Sequence, residues 1–318
     1  MDNDWKTELK NCNICGISDT TLLWKKDSFH YVQCNQCGLV YINPHLKMEE
    51  VQTLYKTGFQ SKVDKKKAES TSTKYNQLLN SFDKYKNNNR ILDIGCFNGA
   101  FLNAAKKLSW TVYGTEISAD AVELAKINTN GGDIRVGELE DISFPADYFD
   151  VITMRDVIEH LPDPNKTLKE IHRILRTNGL LYFDTPNFNS LERFVRQKKL
   201  HTIFPWHFYY FTSHTISRIL METGYNDVVC FSAGFGSFST FNPLASLKED
   251  GNIAQRSNNL QARFIGYIKK IRVVVIVYRL IMTLFNYFFQ LLSKIGINFG
   301  AHLIVNAKKP IINSEIND

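Results

Sequence analysis

The chain has 318 residues, 44% hydrophobic and 22% charged, with 38 basic side chains against 32 acidic ones and a formal charge of +6. That composition excludes a largely disordered chain, and the length suffices for one large domain or two modest ones. The charge is too mild to argue for nucleic acid by itself. The opening MDNDWKTELK has no apolar stretch, so a cytosolic protein with neither secretory nor transit signal is expected.

In that setting cysteines serve as metal ligands or buried thiols more often than as disulfides. Four of the six fall in CNIC (Cys12, Cys15) and CNQC (Cys34, Cys37), each pair followed by a glycine, Gly16 or Gly38. Two such knuckles predict a structural zinc ribbon over residues 1–45, with four thiolates closing the site around one Zn²⁺. LVYINP (39–44) ends it with a short strand. Residues 46–85 read as polar linker helices, with KVDKKKAES as a solvated charge run, and KNNNR (86–90) marks a boundary.

From there strand and helix patterns alternate to residue 240. ILDIG, WTVYGTEIS, IRVG, FDVITM, LLYFDTPN and DVVCFSAG read as buried strands. The alternation predicts an α/β fold built on a doubly wound, mostly parallel sheet. Gly179 marks the expected stop of the helix KTLKEIHRILRTNG. Cys96 and Cys230 lie in apolar runs and are expected to be buried. Residues 241–299 form an apolar and basic insertion, with nine lysines and arginines and no acid between Gly251 and Ser314. AHLIVNAKK supplies a last strand over 300–310, and the tail beyond it is expected to fray.

The turn ILDIGCFNGAFL places Gly95 and Gly99 between a strand and a helix, with Asp93 at the strand tip and Phe97 at the middle position. In such sheets ligands sit beyond the carboxyl ends of the strands. Asp93 would repel a pyrophosphate and attract an ammonium group, which argues against a nicotinamide dinucleotide. S-adenosylmethionine carries such a group and has no pyrophosphate. Glu116, with Ile117 beside it, ends the next strand and can accept from two ribose hydroxyls.

ILDIGCFNGAFL, VYGTEIS, FDVITMRDVIEHLPDP, EIHRILRTNGLLYFDTPN and FTSHTISRILMETGY together resemble class I S-adenosylmethionine-dependent methyltransferases over roughly residues 75–240, with AHLIVNAKK as the final strand. The segment CNICG…CNQCGLVYINP is similar to the zinc-binding N-terminus of methyltransferases from bacterial surface-polysaccharide and sugar-modification clusters. The resemblance implies a seven-stranded Rossmann-like sheet. It places Glu138 and Leu139 along the adenine, and Met154 and Arg155 beside the cofactor. Phe97 departs from the glycine common at its position.

Methyl transfer to oxygen needs positioning and proton removal. Asp156, Glu159 and His160 stand at i, i+3 and i+4, so on a helix they share a face. They would hold a base or a divalent ion, as in the ubiquinone-pathway O-methyltransferases that this stretch resembles, or only cap the loop at LPDP. PWHFYYFT (205–212) offers Trp206, His207, Tyr209 and Tyr210 to an acceptor, with His207 the favoured contact; such aromatics are also ordinary core. Residues 273–292 approach transmembrane length. Topology argues against a single crossing, because AHLIVNAKK is expected to pair in the same sheet as DVVCFSAG. An interfacial hairpin at the inner face of the membrane, a lid and a dimer interface remain for 264–297.

The favoured acceptor is a small molecule or glycan: a sugar nucleotide, a saccharide or a lipid-linked saccharide. An RNA methyltransferase is the alternative. The ribbon counts against it, with only Lys25 and Lys26 as cations between its cysteine pairs. A non-enzymatic scaffold is the third reading.

Overall fold

The computed structural model describes residues 5–26, 28–51, 68–196, 203–233 and 298–310, with single positions between 284 and 292. The N-terminal strands are β1 (Thr7–Glu8), β2 (Thr20–Lys26), β3 (Phe29–Cys34), β4 (Val40–Ile42) and β5 (His45–Leu46). The helix α1 (Ala68–Ser81) leads to β6 (Arg90–Ile94), α2 (Ala100–Lys107), β7 (Thr111–Glu116), α3 (Ala119–Thr129) and β8 (Asp133–Val136). There follow β9 (Phe149–Arg155), α4 (Pro164–Ile174), β10 (Leu175–Pro186) and α5 (Leu191–Arg196). The chain continues through β11 (Tyr209–Tyr210), α6 (Ser213–Glu222) and β12 (Asn226–Ala233) to β13 (His302–Lys308).

Seven strands form one sheet in the order β12-β13-β10-β9-β6-β7-β8. The five from β10 to β8 run parallel, while β13 is antiparallel to both β10 and β12. AHLIVNAKK therefore returns to the sheet between β12 and β10, next to its edge, sharing the sheet with DVVCFSAG as the sequence predicts. Its alternating Leu303, Val305 and Ala307 are all fully buried, the period-two signature of a strand with one sealed face.

The helices begin where side chains can satisfy their first amides. The Ser118 hydroxyl accepts from Ala121 N, the Asp163 carboxylate accepts from Lys166 N with Pro164 at the first helical position, and Thr212 and Thr215 close a capping box. The α4 helix ends at Ile174, five residues before the expected stop at Gly179. Leu175 already pairs with Phe149 of β9, and the extra residues 176–179 are absorbed as a register shift inside β10.

A second sheet has the order β11-β4-β3-β2. Its β2, β3 and β4 come from the cysteine-bearing segment, but β11 comes from PWHFYYFT, far along the chain. Tyr209 pairs with Tyr41 and Tyr210 with Val40. One hydrophobic core runs from Cys12, Tyr31, Leu39 and Tyr41 through Phe208 and Phe211 to Leu168 and Ile171. The N-terminal segment is thus packed into the α/β body. Residues 52–67 of the linker and nearly all of 241–297 lie outside the described residues, and with them the readings of 264–297 as membrane hairpin, lid or dimer interface. Among the described residues no helix is long and apolar enough to cross a membrane.

Candidate active site

The loop after β6 is zipped onto β7: Gly95 N and Cys96 N both donate to the Thr115 carbonyl, at 2.8 and 3.1 Å. Gly95 has φ +68, and a Cβ there would stand 2.6 Å from Val157 Cγ2. Gly99 has φ +72, and a Cβ there would meet the Ala125 backbone at 3.0 Å. Both positions therefore need glycine for backbone and for space. Phe97, the residue that departs from glycine, also takes a left-handed φ of +48, so the turn keeps the glycine-type geometry. Its ring is partly exposed.

Glu116 closes this loop. One carboxylate oxygen accepts from Phe97 N at 3.0 Å and the other from Ser118 N at 3.1 Å. Burial raises its pKa, and the backbone donors pull the other way. Ile117 beside it is partly exposed. Glu138 follows the tip of β8, where burial and then the neighbouring Glu140 and Asp141 charges raise its pKa. Leu139 is buried.

Asp93 differs from expectation. It is 1% exposed, accepts from Thr153 Oγ1 at 2.6 Å, and pairs with the Arg155 guanidinium at 3.4 Å. Burial pushes its pKa up, and Arg155 and Thr153 oppose the shift. Its carboxylate is thus paired inside the protein with Arg155 and Thr153. Arg155 is held in turn over the Phe101 and Tyr75 rings, 4.3 and 4.9 Å from their centroids. Met154 is fully buried in the core, with its strand flanked on both sides.

The stretch DVIEH does not continue as a helix. Ile158–His160 is one 3₁₀ turn, and Asp156 has φ +51. Asp156 is thereby separated from Glu159 and His160, and two clusters form in place of one. Glu159, His160 and His207 make the first. Asp156 groups instead with Asp184 and His302; within each cluster the ligand-capable atoms lie within 4.8 Å of one another. Burial, then the Asp156 charge, pushes the Asp184 carboxyl up to about 7. Neither Asp184 nor His302 is prominent in the sequence. The available signal is a single carboxylate in the apolar strand LLYFDTP.

In the first cluster Glu159 is buried and accepts from Thr185 Oγ1 at 2.9 Å. Burial raises its pKa well above the usual range, and Asp156 adds to the effect. His160 Nδ1 donates to the Trp206 carbonyl at 2.9 Å, which assigns the lone pair to Nε2. Nε2 stands 3.9 Å from the Glu159 carboxylate. Burial lowers the His160 pKa, against the Trp206 carbonyl and Asp156. The His207 ring meets His160 edge-on at 4.5 Å between centroids. Phe208 N donates to the Glu159 carbonyl and Tyr209 Oη to the Pro162 carbonyl, so PWHFYYFT is fastened along this loop as well as to the N-terminal sheet. Tyr209 and Tyr210 are buried.

The four predicted metal-binding thiols also converge. Cys12, Cys15, Cys34 and Cys37 have all four sulfurs within 4.8 Å of one another. Gly16 and Gly38 take φ +73 and +77, and their amides donate to the Cys12 and Cys34 carbonyls, closing two matching turns. Of the remaining cysteines, Cys96 is buried and Cys230, on β12, is partly exposed.

A seven-stranded sheet with one antiparallel strand inserted near its edge, a glycine loop after the first strand of its parallel half and an acid at the next strand tip define the class of S-adenosylmethionine-dependent methyltransferases. Residues 65–229, just over half of the chain, match the family model described as "Methyltransferase domain", and the chain belongs to that family. The ubiquinone biosynthesis O-methyltransferase of Coxiella burnetii (strain RSA 493 / Nine Mile phase I) is 29% identical over 103 residues, covering 31% of this chain and 44% of that protein. Its counterpart from Actinobacillus pleuropneumoniae serotype 5b (strain L20) is 30% identical over 107 residues, covering 31% of this chain and 46% of that protein. The match thus spans less than half the length of these curated relatives. Phosphoethanolamine N-methyltransferase 2 of Haemonchus contortus, solved in complex with S-adenosyl-L-methionine, superposes with a TM-score of 0.53 at 18% identity, covering 85% of this chain and 63% of that one. At that identity the likeness shows the fold.

Proposed function

We propose that this chain transfers a methyl group from S-adenosylmethionine to an oxygen of a small-molecule or glycan acceptor: a sugar nucleotide, a saccharide or a lipid-linked saccharide. The observation that carries this reading is the buried Glu159–His160–His207 cluster at the strand tips, fastened to PWHFYYFT. The residues at the glycine loop fit the cofactor. Gly95 and Gly99 leave the backbone bare, and the Glu116 carboxylate stands at the tip of β7 where a ribose would be met. Ile117, Glu138 and the Leu139 amide provide the adenine side. Asp93 and Arg155 act from beneath, as a buried pair that fixes the loop's floor. When bound, the cofactor supplies an electrophilic methyl group on a sulfonium.

The protein's own contribution is a proton acceptor and an oriented wall. His160 is kept neutral by burial and held in one tautomer by the Trp206 carbonyl. Its Nε2 is suited to take the proton of an acceptor hydroxyl. Glu159, raised toward its neutral form, fixes the turn through Thr185. His207 packs on His160 and orients it.

The four converging thiols fit a structural Zn²⁺, whose preferred donor set is tetrahedral sulfur. In this reading the zinc holds β2–β4 so that they brace β11. The N-terminal segment supports the acceptor wall and does not read nucleic acid: of its two central lysines, Lys26 is tied to the Ile203 carbonyl at 2.8 Å. A divalent ion bound by Glu159, His160 and His207 is a second reading, favoured by the spacing of their ligand atoms. The test is incubation of purified protein with methyl-labelled cofactor and fractionated cell-envelope glycans or sugar nucleotides. With total RNA incubated in parallel, label in a saccharide fraction supports the proposal; label only in RNA would overturn it.

A further inference from the structure

Where the N-terminal sheet meets the loop after β10, aromatic rings and one cation form a feature that the transfer chemistry does not use. Trp24 of β2 stacks on Tyr31 of β3 at 4.8 Å between ring centroids, and nearly parallel to Phe188 at 6.1 Å. Arg193 of α5 lies over Phe188, its guanidinium carbon 3.8 Å from the ring centroid and 5.8 Å from that of Trp24. Burial alone lowers the Arg193 pKa. No carboxylate among the described residues pairs with it. Trp24 Nε1, shielded from solvent, also has no acceptor among the described residues. The buried Trp24 donor costs free energy unless an acceptor meets it, and the half-buried guanidinium lies beside its ring. A planar guanidinium held on a ring face is suited to phosphoryl oxygens. The seam also adjoins the cluster. Phe188 follows Thr185, the partner of Glu159, by three residues, and packs on Tyr210 at 6.0 Å; Tyr210 in turn stands 6.3 Å from His207.

We infer that Arg193 and Trp24, on the Phe188 platform, bind the phosphoryl group of the acceptor, so that the acceptor is an anionic sugar phosphate, diphosphate or phosphodiester whose sugar extends toward His207. The inference rests on the proposed acceptor class and narrows it. The same phosphoryl chemistry is offered by a soluble sugar nucleotide and by a lipid-linked saccharide.

The experiment titrates the full chain with inorganic pyrophosphate by calorimetry, and in a second arm with vesicles of phosphatidylcholine and phosphatidylglycerol by co-sedimentation. Wild type is expected to bind pyrophosphate, Arg193→Gln to bind it at least tenfold more weakly, and Trp24→Phe, which keeps the stack and deletes the N–H, severalfold more weakly. If wild type binds only the vesicles and Arg193→Gln abolishes that binding, the source is a lipid phosphodiester and the inference stands. Absence of binding in both arms, or equal binding by wild type and Arg193→Gln, overturns it. S-adenosylhomocysteine is titrated into each variant alongside. Unchanged affinity shows that the variant is folded, whereas failure of wild type to bind it would strike the methyltransferase reading and leave the anion result to stand separately.

Discussion

Asn13, inside the first cysteine knuckle, donates from Nδ2 to the Asp163 carboxylate at 2.9 Å, and Asn165 N donates back to Asn13 Oδ1 at 2.9 Å. Asp163 is the N-cap of α4 and ends the loop that carries Glu159 and His160. The knuckle therefore touches the turn that bears the proposed base. Cys34→Ser is expected to lose zinc, lower the melting temperature and reduce methyl transfer more than it weakens S-adenosylhomocysteine binding. Metal analysis, thermal unfolding and calorimetry check this. A variant that stays metal-replete contradicts the four-thiolate site. Asn13→Ala should cost about 1 kcal/mol of stability, the net worth of such a bond.

Gly95 and Gly16 share a left-handed backbone but not their surroundings. Alanine at 16 meets nothing within 4 Å, whereas alanine at 95 meets Val157 Cγ2 at 2.6 Å. Gly16→Ala should cost only the backbone term, about 1–2 kcal/mol. Gly95→Ala should cost more and weaken cofactor binding, and Val157→Ala in the same chain should recover part of the loss. Additive effects of the two substitutions would show that the contact is not the cause.

Much of this was legible beforehand. Alternating strand and helix patterns, the return of AHLIVNAKK to the sheet and the pairing of the two knuckles all follow from local periodicity and spacing. The pairing of Asp93 with Arg155 does not, because it depends on which neighbouring strand lies beside β6 and on side-chain rotamers. The positive φ of Asp156 breaks the helical face that its spacing with Glu159 and His160 suggested. Nothing local to PWHFYYFT announces that Tyr209 and Tyr210 join a sheet made by residues 20–42. Arg193 carries no motif; only the fold brings it against Trp24.

The buried pair changes the expectation for Asp93. Asp93→Ala leaves the Arg155 charge without its partner, a change that typically costs about 3–5 kcal/mol. Chemical denaturation should register a large loss of stability together with the loss of cofactor binding. A variant as stable as wild type would show that Asp93 faces ligand rather than core.

His45 is 1% exposed, stacks on Phe208 at 4.7 Å, and neither ring nitrogen has a hydrogen-bond partner among the described residues. Burial, then the Lys10 charge, lowers its pKa to about 3. Below about pH 6.5 the unfolded chain binds a proton here that the folded chain refuses, so stability falls as pH falls, by up to about 1.4 kcal/mol per unit until pH 3. His45→Phe keeps the stack and removes the proton site. It should therefore gain stability relative to wild type progressively from pH 6.5 downward. Parallel denaturation curves at pH 7, 6 and 5 test this, and a constant difference would refute it.

His160 is the proposed base, so His160→Asn should lower kcat by about 10²–10⁴-fold. Protonation removes the base. In wild type the rate should rise with pH and level off below the usual histidine pKa of about 6.5, since burial lowers it. Glu159→Gln should retain much of the activity, because the native carboxyl already leans to its neutral form. If a chelator abolishes activity without releasing the cysteine-bound metal, and Glu159→Gln is inactive, the divalent-ion reading replaces the base.

The cofactor's place over the glycine loop underlies every step proposed for this chain. S-adenosylhomocysteine titrated calorimetrically into wild type and Glu116→Ala, with thermal unfolding as a check on folding, tests it directly. Wild type should bind, and the variant should bind at least tenfold more weakly while still unfolding cooperatively; equal affinity in the two proteins would contradict the site.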